Sequence, residues 1–165
     1  MVRLWLLLSV VLAALGCAGR INTTPPRERE IERSKVFNKP YDHVWARAVD
    51  WFASHNVIIE KIEKESGLIT AKYQLQMSND QLDPGSITAS GAGAEEPSIK
   101  LFASLNMVVR SEGAESTKVS VNLFGNYEAT TYWGWLERHG PVTATGNCVS
   151  TGNLERKVFE YIGNR

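Results

Sequence analysis

Hydrophobic and polar positions along this chain change period several times, and each change marks an expected element. From residue 99 the alternation is strict, with Ile99, Leu101, Ala103, Leu105, Met107 and Val109 on one side and Lys100, Phe102, Ser104, Asn106, Val108 and Arg110 on the other. In a β-strand, period two sends alternate side chains to opposite faces, so one face of this strand is expected in a core. A second run, residues 117–127, sets Val119, Val121 and Leu123 on the same side, with residues 111–116 turning between the two. With core facing core, Met107 is placed opposite Val119, Leu105 opposite Val121, and the outward Phe102 opposite Phe124. Such an aromatic pair contributes roughly 0.2–1 kcal/mol. It also leaves an apolar spot on a polar sheet face, to be covered by a partner or by the chain's own loop.

Elsewhere the period is helical. Tyr41, Val44, Trp45, Ala48, Phe52 and His55 recur at helical spacing after Pro40, whose missing N–H costs nothing in a first turn. Asn56 suits a left-handed cap, and Trp45 and Phe52 are expected core anchors. Residues 34–37 read as a strand before this helix. Residues 57–62 and 68–75 read as two strands after it, joined by a tight turn at Lys64, Glu65, Ser66 and Gly67. Leu154, Val158, Tyr161 and Ile162 form the stripe of a closing helix over residues 151–162. The expected fold is therefore α+β: an antiparallel sheet of about five strands, a helix after the first strand, and a C-terminal helix packed on one face. Residues 78–97, with Asp83-Pro84-Gly85 and the glycines 91 and 93, are expected as a mobile loop.

The start of the chain changes the picture from fold to location. Arg3, an uncharged run over residues 4–15 and the small Gly16 lead to Cys17. A membrane-spanning helix needs about 20 apolar residues for a core of roughly 30 Å, so the run is read as a secretory signal over residues 1–16. Leu15-Gly16-Cys17-Ala18 resembles the cleavage site of a bacterial lipoprotein. That resemblance implies cleavage before Cys17, a diacylglycerol on its sulfur and an acylated new amino terminus. Ala18, where Asp would retain a protein in the inner membrane, implies the outer membrane, facing the periplasm. Residues 17–33, with Pro25-Pro26 and alternating Arg and Glu, are expected as a flexible tether reaching roughly 50–58 Å. Residues 34–165 then form a single domain.

With Cys17 lipidated, Cys148 is the remaining thiol and no internal disulfide forms. Cys148 is expected at the entrance to the last helix. There it is either a nucleophile with a lowered pKa or, the favoured reading, a small buried apolar side chain.

Charge excludes a nucleic-acid partner. Lys plus Arg and Asp plus Glu both number 18, and loss of residues 1–16 removes only Arg3, leaving one net negative charge with no basic stripe. His43, His55 and His139 fall at no ligand spacing with Cys, Asp or Glu. No Gly-rich phosphate loop joins strand to helix. His139 with Cys148 is a nucleophile–base pair with nothing to orient it. No catalytic residue, metal or cofactor is expected. Tyr132, Trp133 and Trp135 form an aromatic stretch before the last helix, read either as a lid on the core or as a loop touching a partner or the bilayer.

Lys39-Pro40-Tyr41-Asp42-His43-Val44-Trp45, Asn56-Val57-Ile58-Ile59-Glu60 and Ser66-Gly67-Leu68-Ile69 together resemble the opening unit of BamC-like (NlpB-type) outer-membrane lipoproteins. The resemblance implies a helix-grip fold and a tethered accessory or scaffold role at the outer membrane, in that family within a barrel-assembly machine. Two readings of function follow. The first is a lipid-anchored, non-catalytic module that binds another envelope protein through Phe102 and Phe124 or through Tyr132, Trp133 and Trp135. The alternative is a binder of a small apolar or envelope-derived ligand, held in a cleft between helix and sheet.

Overall fold

A computed structural model describes residues 19–73, 80–91, 93–132 and 140–164. The leader, Cys17, Trp133, Trp135 and His139 lie outside them. The described elements are β1 (Arg20–Thr24), β2 (Ser34–Phe37), α1 (Tyr41–Ser54), β3 (Ile59–Glu63), β4 (Leu68–Tyr73), β5 (Leu82–Asp83), β6 (Ser86–Ser90), β7 (Ser98–Gly113), β8 (Ser116–Thr131), β9 (Val142–Ser150) and α2 (Asn153–Gly163).

The frame is one long hairpin. β7 and β8 are each 16 residues and pair antiparallel along their whole length. β4 and then β3 extend the sheet beyond β7. The other edge of β8 is divided: β2 pairs with Thr117–Ser120 and β9 with Gly125–Thr131, and β5 lies beyond the end of β9. This is a seven-stranded antiparallel sheet, and β1 with β6 forms a separate two-stranded ribbon.

The expected α+β helix-grip of five strands is therefore corrected. The described residues are mostly β, with 52% in strands against 19% in helices. Three misread stretches account for the difference. The segment expected as a mobile loop contains β5 and β6, the segment expected as a tether contains β1, and the residues around Cys148 form β9 rather than a helix entrance. The elements with a strong apolar period, α1, β7, β8 and α2, fall where expected, as do the short strand β2 and the β3–β4 hairpin.

Local chemistry explains the helices and turns. α1 buries Val44, Trp45, Ala48, Trp51 and Phe52, one stripe at helical spacing. It ends where Asn56 turns left-handed, with φ 53°, and Val57 N donates to Phe52 O at 3.0 Å. Gly67 closes the β3–β4 turn at φ +69°, and a Cβ there would meet Val109 O at 1.9 Å, so the position excludes a side chain. Gly67 O in turn accepts from Val109 N at 2.8 Å.

Both helices pack on the inner face of the hairpin half nearer its tip. Ile69, Leu105, Met107, Val109, Val119 and Val121 meet Trp51 and Phe52 from α1 and Val158, Phe159 and Ile162 from α2. Arg47 binds the helices together: its guanidinium donates to Tyr161 O at 2.8 Å and lies 4.2 Å from the centre of that ring. The half farther from the tip is covered by the ribbon instead, through the partly buried Ile21 and Ile87.

Candidate outer-face site

The hairpin register decides what the outer face presents. Met107 pairs with Val121 and Leu105 with Leu123, two residues beyond the expected pairing. The expected loop over residues 111–116 is replaced by strand that continues to a short turn at Ala114 and Glu115, with an irregularity between Ser111 and Gly113. A two-residue slip keeps each side chain on its face, because the side-chain period is two. It does separate the aromatic pair: Phe102 lies opposite Asn126 and Phe124 opposite Ser104, so the two rings are diagonal rather than facing.

Phe102 is 42% exposed and Phe124 54%, both on the side of the sheet away from the helices. Around them stand amides and hydroxyls. Asn106 pairs with Asn122, and Asn126 pairs with both Phe102 and Asn147. Charged residues rim this patch, with Lys100 opposite Glu128 towards one end, Lys72 ion-paired to Glu60 beside Ser104, and Arg33 lining the recess next to Phe124.

A groove runs beside the patch because the second edge of β8 changes partner. Val121 N still donates to Arg33 O at 2.8 Å, just past β2, but β9 begins to pair only at Gly125. Between them Asn122, Leu123 and Phe124 line a recess of about 430 Å³ with Arg33, Asn147 and Cys148. A second recess of about 360 Å³ joins Phe102 to Glu128 and Thr145, and the two share Asn126 and Asn147. On the far side of β9, β5 pairs only with Val149 and Ser150, and no described strand pairs with residues 142–148. That edge carries no charged residue. An uncharged edge with free N–H and C=O groups is a template for another extended segment.

Cys148 faces inward on β9, opposite Gly125. Burial, with a smaller contribution from the Asp83 carboxylate, pushes its thiol up to about 11. At neutral pH it is a protonated, buried side chain, unlike the activated thiol of a helix amino end. His139, its candidate base in the sequence, lies outside the described residues. Among the described residues no group of three His, Cys, Asp or Glu could hold a metal ion, and no helix is long and apolar enough to cross a membrane.

The space between helix and sheet is filled. Trp51, Phe52, Leu105 and Met107 are all buried to within 1%, so the cleft of the alternative reading is occupied by the protein's own side chains. Tyr132 is 57% exposed, at the end of β8 rather than over the core. Trp133 and Trp135 lie outside the described residues.

Sequence reasoning found Phe102 and Phe124 but missed β9 and its residues Thr143, Thr145 and Asn147. The available signal was a faint period of two in which the inward residues are small: Ala144, Gly146 and Cys148. Gly146 is small because Tyr127, its partner on β8, occupies the space above it. A Cβ on Gly146 would lie 2.6 Å from that ring.

A scan against protein-family models matches none, and a search of curated proteins finds no match to this chain.

Proposed function

We propose that this chain is a lipid-anchored, non-catalytic accessory module on the periplasmic side of the outer membrane, and that it binds another envelope protein through the outer face of its sheet. The observation that carries the reading is the pair of half-exposed rings, Phe102 and Phe124, set in an uncharged amide-rich patch beside a groove. Aromatic side chains supply large contact area at low conformational cost, and neighbouring amides both donate and accept. The filled layer between helix and sheet favours this reading over a ligand held in a cleft. The lipoprotein-like site at Cys17 supports the anchor, and the resemblance of residues 37–73 to BamC-like lipoproteins supports an accessory role.

The test is site-specific photo-crosslinking in intact cells. A crosslinker at position 102 or 124 is expected to capture one consistent envelope protein, and a crosslinker at Glu112, near the hairpin tip, is expected not to. Capture of nothing at 102 and 124, in cells where the chain is lipidated and folded, contradicts the reading.

A further inference from the structure

We infer that the ribbon end of this molecule lies flat against the bilayer, with Ile99 and Tyr132 in the headgroup layer and the hairpin tip pointing into the periplasm. The inference rests on the anchor reading above, and deepens it by naming the surface that meets the lipid.

Its first support is the length of chain left for a leash. Residues 17–33, if unstructured, would let the domain range roughly 50–58 Å from the membrane. Instead Arg20 is already in β1, opposite Ser90 of β6. The segment that follows is also held to the body. Arg29 forms an ion pair with Asp83 at 3.0 Å, Ile31 covers Gly152 so closely that a Cβ there would come within 3.0 Å of its Cγ2, and Arg33 O accepts from Val121 N. Three residue steps separate Cys17 from Arg20, a reach of roughly 10 Å. A lipidated Cys17 therefore holds the Arg20 end of the ribbon within about that distance of the headgroups.

The second support is what else stands at that end. From Ser90 the chain turns, with Ala94 N donating to Gly91 O, and docks on the end of β8: Glu95 N donates to Tyr132 O at 3.2 Å, and Thr131 Oγ1 donates to Glu95 O at 2.6 Å. The end of β8 and the starts of β7 and β9 thus lie together at the same end as Arg20. Among the described residues two large side chains are exposed there, Ile99 at 41% and Tyr132 at 57%. Tyrosine favours the membrane–water boundary, where its ring is apolar and its hydroxyl stays hydrated. Among the described residues at that end Arg20 and Lys100 stand against Glu95, Glu96 and Glu128, a near balance in which the leash and the apolar side chains supply the contact. A 16-residue strand is about 50 Å long, which carries the hairpin tip well clear of the bilayer.

The test uses the full-length lipoprotein in vesicles of phosphatidylethanolamine and phosphatidylglycerol that contain a headgroup-spin-labelled lipid. In a Cys148→Ala background, a fluorophore is placed at Ser98→Cys or at Glu115→Cys, and intact-mass measurement first establishes the lipid on Cys17. Strong quenching is expected at position 98 and none at 115. Inserting a Gly-Ser stretch of about 12 residues between Gly19 and Arg20 is expected to release most of the quenching at 98. An unmodified Cys17 overturns the anchor reading and this inference with it. A lipidated chain in which position 98 is quenched no more than position 115 overturns the inference alone.

Discussion

The two halves of the β7–β8 hairpin are built from the same alternating strands but are covered in different ways. Near the tip, two helices place Trp51, Phe52, Phe159 and Ile162 on the inner face, and β2, β3 and β4 flank the hairpin. Farther from the tip, the cover is a two-stranded ribbon with Ile21 and Ile87, both only partly buried. A large buried aromatic or aliphatic side chain contributes about 1.5–3 kcal/mol, and two-stranded ribbons are marginal alone. Stability is thereby concentrated in the helix-covered half. The features assigned to interaction sit elsewhere: the edge of β9 that no described strand pairs, the recess near Phe124 and the end proposed to meet lipid belong to the ribbon-covered half or to its boundary.

The largest expected effects break the helix-covered half. Trp51→Ala removes a side chain that is 1% exposed and is expected to cost about 3–5 kcal/mol in denaturant unfolding. Gly67→Ala forces a Cβ into the Val109 carbonyl at a left-handed position and is expected to cost about 3 kcal/mol or more. An effect below about 1 kcal/mol from either would mean that the helices and their hairpin are not the main source of stability.

A pH titration separates the halves further. The folded-state pKa of Cys148 lies above its ordinary value of 9.0, at about 11, so its contribution is fully present below pH 9 and is lost as pH rises towards 11. The loss is expected to reach at most about 2–3 kcal/mol. It should appear first as opening of β9, and Cys148→Ala should abolish that alkaline step. Persistence of the step in the variant would assign it to another group.

Smaller effects are expected from the ribbon. Gly85, at φ +79°, has Thr24 O within 2.1 Å of a Cβ built on it, so Gly85→Ala must separate β1 from the β5–β6 turn. Because little else depends on that contact, global stability is expected to fall by only about 1 kcal/mol while β1 and β6 lose protection from hydrogen exchange. Smallest of all, Phe102→Ser with Phe124→Ser is expected to change stability by less than about 0.5 kcal/mol each while abolishing capture of the partner by a crosslinker at the neighbouring position 126. A loss of several kcal/mol would make the rings part of the core rather than of a surface.

The same contrast explains what could be read in the sequence. In the helix-covered half α1, β7, β8 and α2 bury large apolar side chains at a fixed period and announce themselves, and the β3–β4 hairpin is marked by its turn at Gly67. Elements of the ribbon-covered half do not. β1 is Arg-Ile-Asn-Thr-Thr and β6 is Ser-Ile-Thr-Ala-Ser, each with a single large apolar residue, because each contributes one partly buried anchor to a thin layer. β9 reads as a turn-rich segment because its inward residues are small, and at Gly146 the Tyr127 ring fills the space a side chain would need. Phe102 and Phe124 were legible as outward residues from period alone, but their diagonal placement was not. It depends on turn geometry at the hairpin tip, which periodicity does not encode.

Native-state hydrogen exchange, resolved by residue, tests the division between the two halves most directly. Amides of β7 and β8 at 105–109 and 119–123 are expected to exchange only through global unfolding. Those of β1, β6 and residues 142–147 of β9 are expected to exchange through a separate opening of lower free energy. Equal protection across both halves, or a ribbon that outlasts the helix-covered half, would contradict it.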